Sequence, residues 1–192
     1  GAALNITADD LNATAATGIG EVGDALDTTI DTFTGTTTGS GPIVINETDG
    51  IELTSVTAAA GLITVDAGGN IDAVSVVSST DDNDNDITAT GGGSIAVDAV
   101  NAGTEDGDVT LTANTGSGTV TTNANGRVAG DVITATAASG IDLTTTGNSA
   151  DMSVTGAGDL EIDELDAIEL TDLDTVDGLI DVEAGGTITA VD

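Results

Sequence analysis

Residues 61–75, GLITVDAGGNIDAVS, return at 178–192 as GLIDVEAGGTITAVD, identical at ten of fifteen positions. The substitutions fall at Thr64/Asp181, Asp66/Glu183, Asn70/Thr187, Asp72/Thr189 and Ser75/Asp192. Within the two strand segments, the retained residues Ile63, Val65, Ala67, Ile71 and Ala73 lie on the other alternation. A strand sends successive side chains to opposite faces. One face is therefore held apolar while the other drifts among polar residues.

The same template fits along the chain. Ile43, Ile45, Ile51 and Leu53 match it, as do Ile87, Ala89, Ile95 and Val97. Ile133, Ala135, Ile141 and Leu143 match, and so do Met152, Val154, Leu160 and Ile162. Val109 and Leu111 start a copy with a longer corner before Val120. Leu4, Ile6 and residues 26–33 read as less regular copies. The step is about 19–28 residues, a solenoid period. It is too short for a helical crossover, and the Asn and Leu pattern of a leucine-rich horseshoe is absent. Gly68-Gly69 and Gly91-Gly92-Gly93 mark corners, and residues 74–77 add a third strand to their coil. The expectation is an all-β, right-handed parallel β-helix. It would form one β-solenoid domain over residues 1–192, less regular over 1–40 and regular over 41–192. At a rung spacing of about 4.8 Å, eight or nine coils make a rod on the order of 40 Å long.

Charge narrows the partners. Asp and Glu number 34 against a single basic residue, Arg127, for a formal net charge of −33. Nucleic acid and anionic membrane surfaces both call for Lys and Arg, so neither is an expected partner. No apolar run is long enough to span a bilayer. Without His, Cys or Lys, nucleophilic triads and Schiff bases are excluded. Paired carboxylates remain, but acids are everywhere, and Phe33 is the only aromatic on which a sugar would stack. The expectation is a protein that is not an enzyme. Absence of Cys fits a long extracellular array and also a cytosolic protein.

Residues 13–71, ATAATGIGEVGDALDTTIDTFTGTTTGSGPIVINETDGIELTSVTAAAGLITVDAGGNI, resemble the repeats of giant filamentous-haemagglutinin-like adhesins, the β-strand-repeat surface proteins of bacteria. Units such as GDVTLTANTGSGTV continue the style over nearly the whole chain. The resemblance implies a right-handed parallel β-helix, secretion, and a role in adhesion, biofilm or envelope fibres. It carries no active site, and the secretion-domain motifs of such proteins are absent from this sequence.

Four features stand out as candidate sites. The run Asp81, Asp82, Asn83, Asp84, Asn85, Asp86 offers hard oxygen ligands, with Asp81, Asp82, Asp84 and Asp86 as candidate Ca²⁺ ligands. It is similar to the start of an EF-hand loop but lacks the glycine and the terminal Glu, so a solvated acidic loop is the competing reading. Thr88/Thr90, Thr110/Thr112 and Thr134/Thr136, with Thr64 extending one row, predict an outward threonine array of the kind that binds ice, or simply good exposed β-residues. Asn5, Asn12 and Asn46 stand in glycosylation sequons. The sequence closes in mid-template after Ile188 and Ala190, as in a piece of a longer array or a subunit stacking head to tail on itself. The functional expectation is an extracellular structural rod at the cell surface. A module binding calcium, glycans or ice is the alternative, and a carbohydrate-active enzyme is the third reading.

Overall fold

Val, Ile and Thr are branched at Cβ and favour extended backbone. Gly, Asn and Asp interrupt them every few residues and favour turns. The computed structural model describes residues 4–191 and resolves this pattern into eighteen strands, with no helix among them. The strands pair in parallel, and a small Glu21–Asp24 bridge is the one antiparallel contact among the described residues. They wind into a β-solenoid of about nine turns.

Two faces run the length of the stack. On face A, Ile43, Ile63, Ile87, Val109 and Ile133 lie over one another in register. All five are buried, none more than 1% exposed. The column continues through Ala150 and Leu170 to Ala190. On face B, Ile51, Ile71, Ile95, Val120, Ile141, Leu160 and Ile180 form the matching column. A third face is built in the first half by Val56, Val76, Val100 and Val128. The strand expected near residues 74–77 is Val76–Ser78. Phe33 is fully buried between Leu11 and Leu53 of neighbouring coils, and Gly35 leaves the space its ring fills.

The template does not keep one phase along the rod. The step from face A to face B takes eight residues at Ile63→Ile71, and the return to Ile87 takes sixteen. Beyond Ile141 the arcs trade sides. The return to face A at Ala150 takes nine residues, and the next eight-residue corner, Leu160→Ile168, runs from face B to face A. The strands flanking the exchange are the longest in the chain, Val120–Ala137 and Ile141–Ala157. As a result the two GLI copies lie on different faces: Ile63 is in column A and its counterpart Ile180 in column B. A strand–Gly-Gly–strand unit fits either position, because each face asks only for inward alternates and a tight corner.

Burial falls away in the last coil. Ile180 is 39% and Ile188 45% exposed, against 0% and 1% for Ile63 and Ile71.

Candidate functional site

The acidic run at residues 81–86 folds back on backbone donors. Both carboxylate oxygens of Asp81 accept N–H groups of the next coil: Thr104 and Glu105 on Oδ2, each at 3.0 Å, and Asp106 and Gly107 on Oδ1 at 2.9 and 3.1 Å. These donors, Asp106 foremost, hold the Asp81 carboxyl below the usual carboxylate range. Asp86 accepts the Asp108 N–H at 3.0 Å. Asp82 closes a turn by accepting the Asn85 N–H on its carbonyl at 2.9 Å, and the Asn85 amide reaches back to the Thr80 carbonyl at 3.3 Å. Asp82 Oδ1 accepts the Asp84 N–H at 3.4 Å, and Asp84 is itself exposed. No group of three or more carboxylates among the described residues is placed to hold a metal ion.

Two acids that the sequence did not mark as inward, Glu47 and Glu164 of the Asp163-Glu164-Asp166 cluster, are buried. Glu47 and Glu164 are each 2% exposed. Glu47 Oε2 accepts the Thr28 hydroxyl at 2.6 Å and the Ile30 N–H at 3.1 Å from the preceding coil, while Oε1 accepts the Thr48 N–H at 2.8 Å. Glu164 repeats the arrangement: Oε2 accepts the Thr145 hydroxyl at 2.8 Å and the Gly147 N–H at 3.2 Å, and Oε1 the Asp166 N–H at 3.3 Å. Each carboxylate thus pins a corner to the coil beneath it and satisfies backbone donors that the corner would otherwise leave unpaired. The signal was in the parity. Ile43, Ile45, Glu47 and Leu160, Ile162, Glu164 are alternate residues, so the acid falls in the inward set.

Outward acids form ladders. Glu52 is in register with Asp72, Asp163 with Glu183, and Asp142 with Glu161 and then Asp181. Two unit charges about 4 Å apart repel by about 1 kcal/mol even in bulk water. Burial, then the Asp98 and Glu52 charges, raise the Asp72 carboxyl. Burial raises Asp108, opposed by the Val132 N–H and reinforced by Asp86 and Asp131. Burial raises Glu164, against the pull of the Thr145 hydroxyl and the Asp166 N–H.

A carboxyl raised in the fold binds its proton more tightly folded than unfolded, so stability falls as pH rises through that interval and returns on acidification. Asp81 has the opposite sign: its contribution is lost as pH falls through its lowered value. The melting temperature is expected to rise on going from pH 7 toward about pH 4, near the ordinary carboxylate range, and to fall at lower pH. A thermal melt series read by far-ultraviolet circular dichroism checks this; a monotonic loss of stability below pH 7 contradicts it.

Ladder repulsion also predicts a salt response. The melting temperature is expected to climb with NaCl as the Debye length shortens from about 10 Å at 0.1 M to about 3 Å at 1 M. Calcium is expected to act through the same screening, with no saturable step. A stoichiometric transition in a calcium titration would instead locate a true site.

The threonine array forms as a lattice. Thr64, Thr88, Thr110 and Thr134 make one row, and Thr90, Thr112 and Thr136 the next, in register on face A. Asp66 closes the second row at one end, and Asp151 and Ser153 follow at the other. Asp181 and Glu183, the counterparts of Thr64 and Asp66 in the second GLI copy, lie on face B in register with Glu161 and Asp163. Arg127 is exposed beside Asn125, whose φ of 70° marks the register break between coils there.

The parallel rungs, inward aliphatic columns and corner-pinning acids define a β-solenoid repeat protein. No family model, curated protein or solved structure matches this chain.

Proposed function

We propose that the chain is a segment of an extracellular β-solenoid rod, a fibre or adhesin stalk at the cell surface, in which the rod itself is the working part. One observation supports this above the others: one apolar column runs in register from Ile43 on face A and another from Ile51 on face B, so length grows by repetition. Such stacks gain stability from nearest-neighbour contacts and extend along one axis. The acidic ladders keep neighbouring rods apart in solution through like-charge repulsion. Further solenoid coils along the axis are the partner this reading calls for, with glycans or other cells as targets at the surface. Electron microscopy and fibre diffraction of the native material test it. Long thin fibres with a meridional spacing of about 4.8 Å are expected; compact particles without that repeat would overturn the reading.

The threonine lattice supports a second reading, a surface that binds ice. Its two rows repeat at the rung spacing on a continuous face. Thermal hysteresis that disappears in Thr112→Asp would favour it, and no hysteresis in the parent protein would remove it.

A further inference from the structure

The two GLI copies are part of a longer duplication. Residues 26–74 and 143–191 align without a gap at a constant offset of 117 residues, identical at 23 of 49 positions. The alignment carries Thr28 onto Thr145 and Glu47 onto Glu164, so both buried carboxylates and their hydroxyl donors are counterparts. It also carries the corners. Backbone of Thr48–Gly50 lies where a Cβ on Gly68 or Gly69 would stand, and Leu165–Ala167 does the same beneath Gly185 and Gly186. Sequence, buried hydrogen bonds and corner stacking thus agree on one unit present twice.

The unit returns rotated. Ile43 is in column A, and five rungs above it in that column stands Ala150. Its counterpart, Leu160, is a further half-turn on, in column B. Ile51 and Ile71 in column B have their counterparts Ile168 and Ile188 on face A, stacked on each other two residues ahead of Leu170 and Ala190 of column A. The offset of 117 residues therefore advances five and a half turns.

The duplication says what belongs on the exposed last coil. Ile180 and Ile188 correspond to Ile63 and Ile71. In the first copy those residues are covered by Ile87–Gly91 and Ile95–Asn101. We infer that the face presented by Ile180–Ala184 and Ile188–Ala190 is the landing site for a solenoid coil equivalent to residues 76–101, carried by a further copy of the unit and turned by half a revolution. The strand equivalent to Ile87–Gly91 lands on Ile180–Ala184, and the one equivalent to Ile95–Asn101 on Ile188–Ala190. Successive units then display each outward residue on opposite sides of the rod. The inference deepens the rod reading but rests on the internal duplication, so an absence of fibres in the microscope leaves it standing.

The test is a chain extended after residue 192 by a copy of its own residues 76–132, compared with the parent by hydrogen exchange. Amides at 180–190 are expected to slow to the level measured at 63–73, and the slowing to be lost when the appended counterparts of Ile87 and Ile95 are aspartate. Unchanged exchange at 180–190 in the extended chain would overturn the inference. So would concentration-dependent protection of these amides in the parent, accompanied by self-association in sedimentation, since the occupant would then be a second copy stacked end-on.

Discussion

Ile63→Ala is expected to cost about 3 kcal/mol of unfolding free energy, within the range of about 2–5 kcal/mol for truncating a buried Ile. Ile180→Ala, at the counterpart position in the same GLI context, is expected to cost about 1 kcal/mol or less, in keeping with the smaller area it removes from water. The two side chains share neighbours in sequence and differ in what lies above them. Ile63 is 0% exposed, between Ile43 and Ile87, whereas Ile180 is 39% exposed with Leu160 on one side only. Removing the Ile63 methyls leaves a void that rigid rungs on both sides cannot close. Removing those of Ile180 trims a surface already wet. Urea unfolding followed by circular dichroism gives the difference. Because end coils of a stacked array can open separately, hydrogen exchange should show the Ile180→Ala effect confined to the last coils. Equal costs at the two positions would contradict the layered stack.

Glu47→Leu is expected to destabilise by about 2–4 kcal/mol, because it strands the buried Thr28 hydroxyl and Ile30 N–H, each unpaired buried group costing about 1–3 kcal/mol. Thr28→Val alone removes one donor and is expected to cost about 1 kcal/mol. The double variant is expected to be milder than the sum, since the apolar pair no longer leaves the hydroxyl orphaned. The residual cost is that of the Ile30 N–H, which loses its carboxylate acceptor, whereas the Thr48 N–H keeps the Thr28 carbonyl at 3.1 Å. The same cycle at Thr145 and Glu164 should give a coupling of the same sign, the geometry being repeated there. Strict additivity at both corners would show that the carboxylates do not act as pins.

Much of this architecture was legible in the residues. Strand parity is set by covalent geometry, so Ile63, Ile87 and Ile133 could be assigned to one inward column before any coordinates, and they stack as expected. The coil count and the parallel pairing followed from the spacing of the copies. Two things were hidden. The phase exchange near residues 141–160 leaves no local mark, because strand–corner–strand units look alike on faces A and B and only pairing partners tell them apart. The buried glutamates were masked by abundance: with 34 acids in the chain, two at inward parity do not stand out until their donors from the coil below are seen. The same abundance drew attention to residues 81–86, where Asp81, Asp82 and Asp86 accept backbone N–H groups. Asp81 caps backbone of the coil above, and Asp86 pairs with the start of the next rung.

Disulfide trapping tests the in-register stack most directly, since the chain contains no cysteine of its own. Neighbouring rungs place Cα atoms about 4.8 Å apart, inside the usual disulfide window of about 4.4–6.8 Å. Thr110→Cys with Thr134→Cys joins outward positions that face each other on adjacent rungs of face A. Thr110→Cys with Asp142→Cys joins face A to face B. The first pair should close rapidly under mild oxidation with the circular dichroism spectrum unchanged, and the second should stay reduced. Failure of the first pair to close, or equal closure of both, would contradict the account.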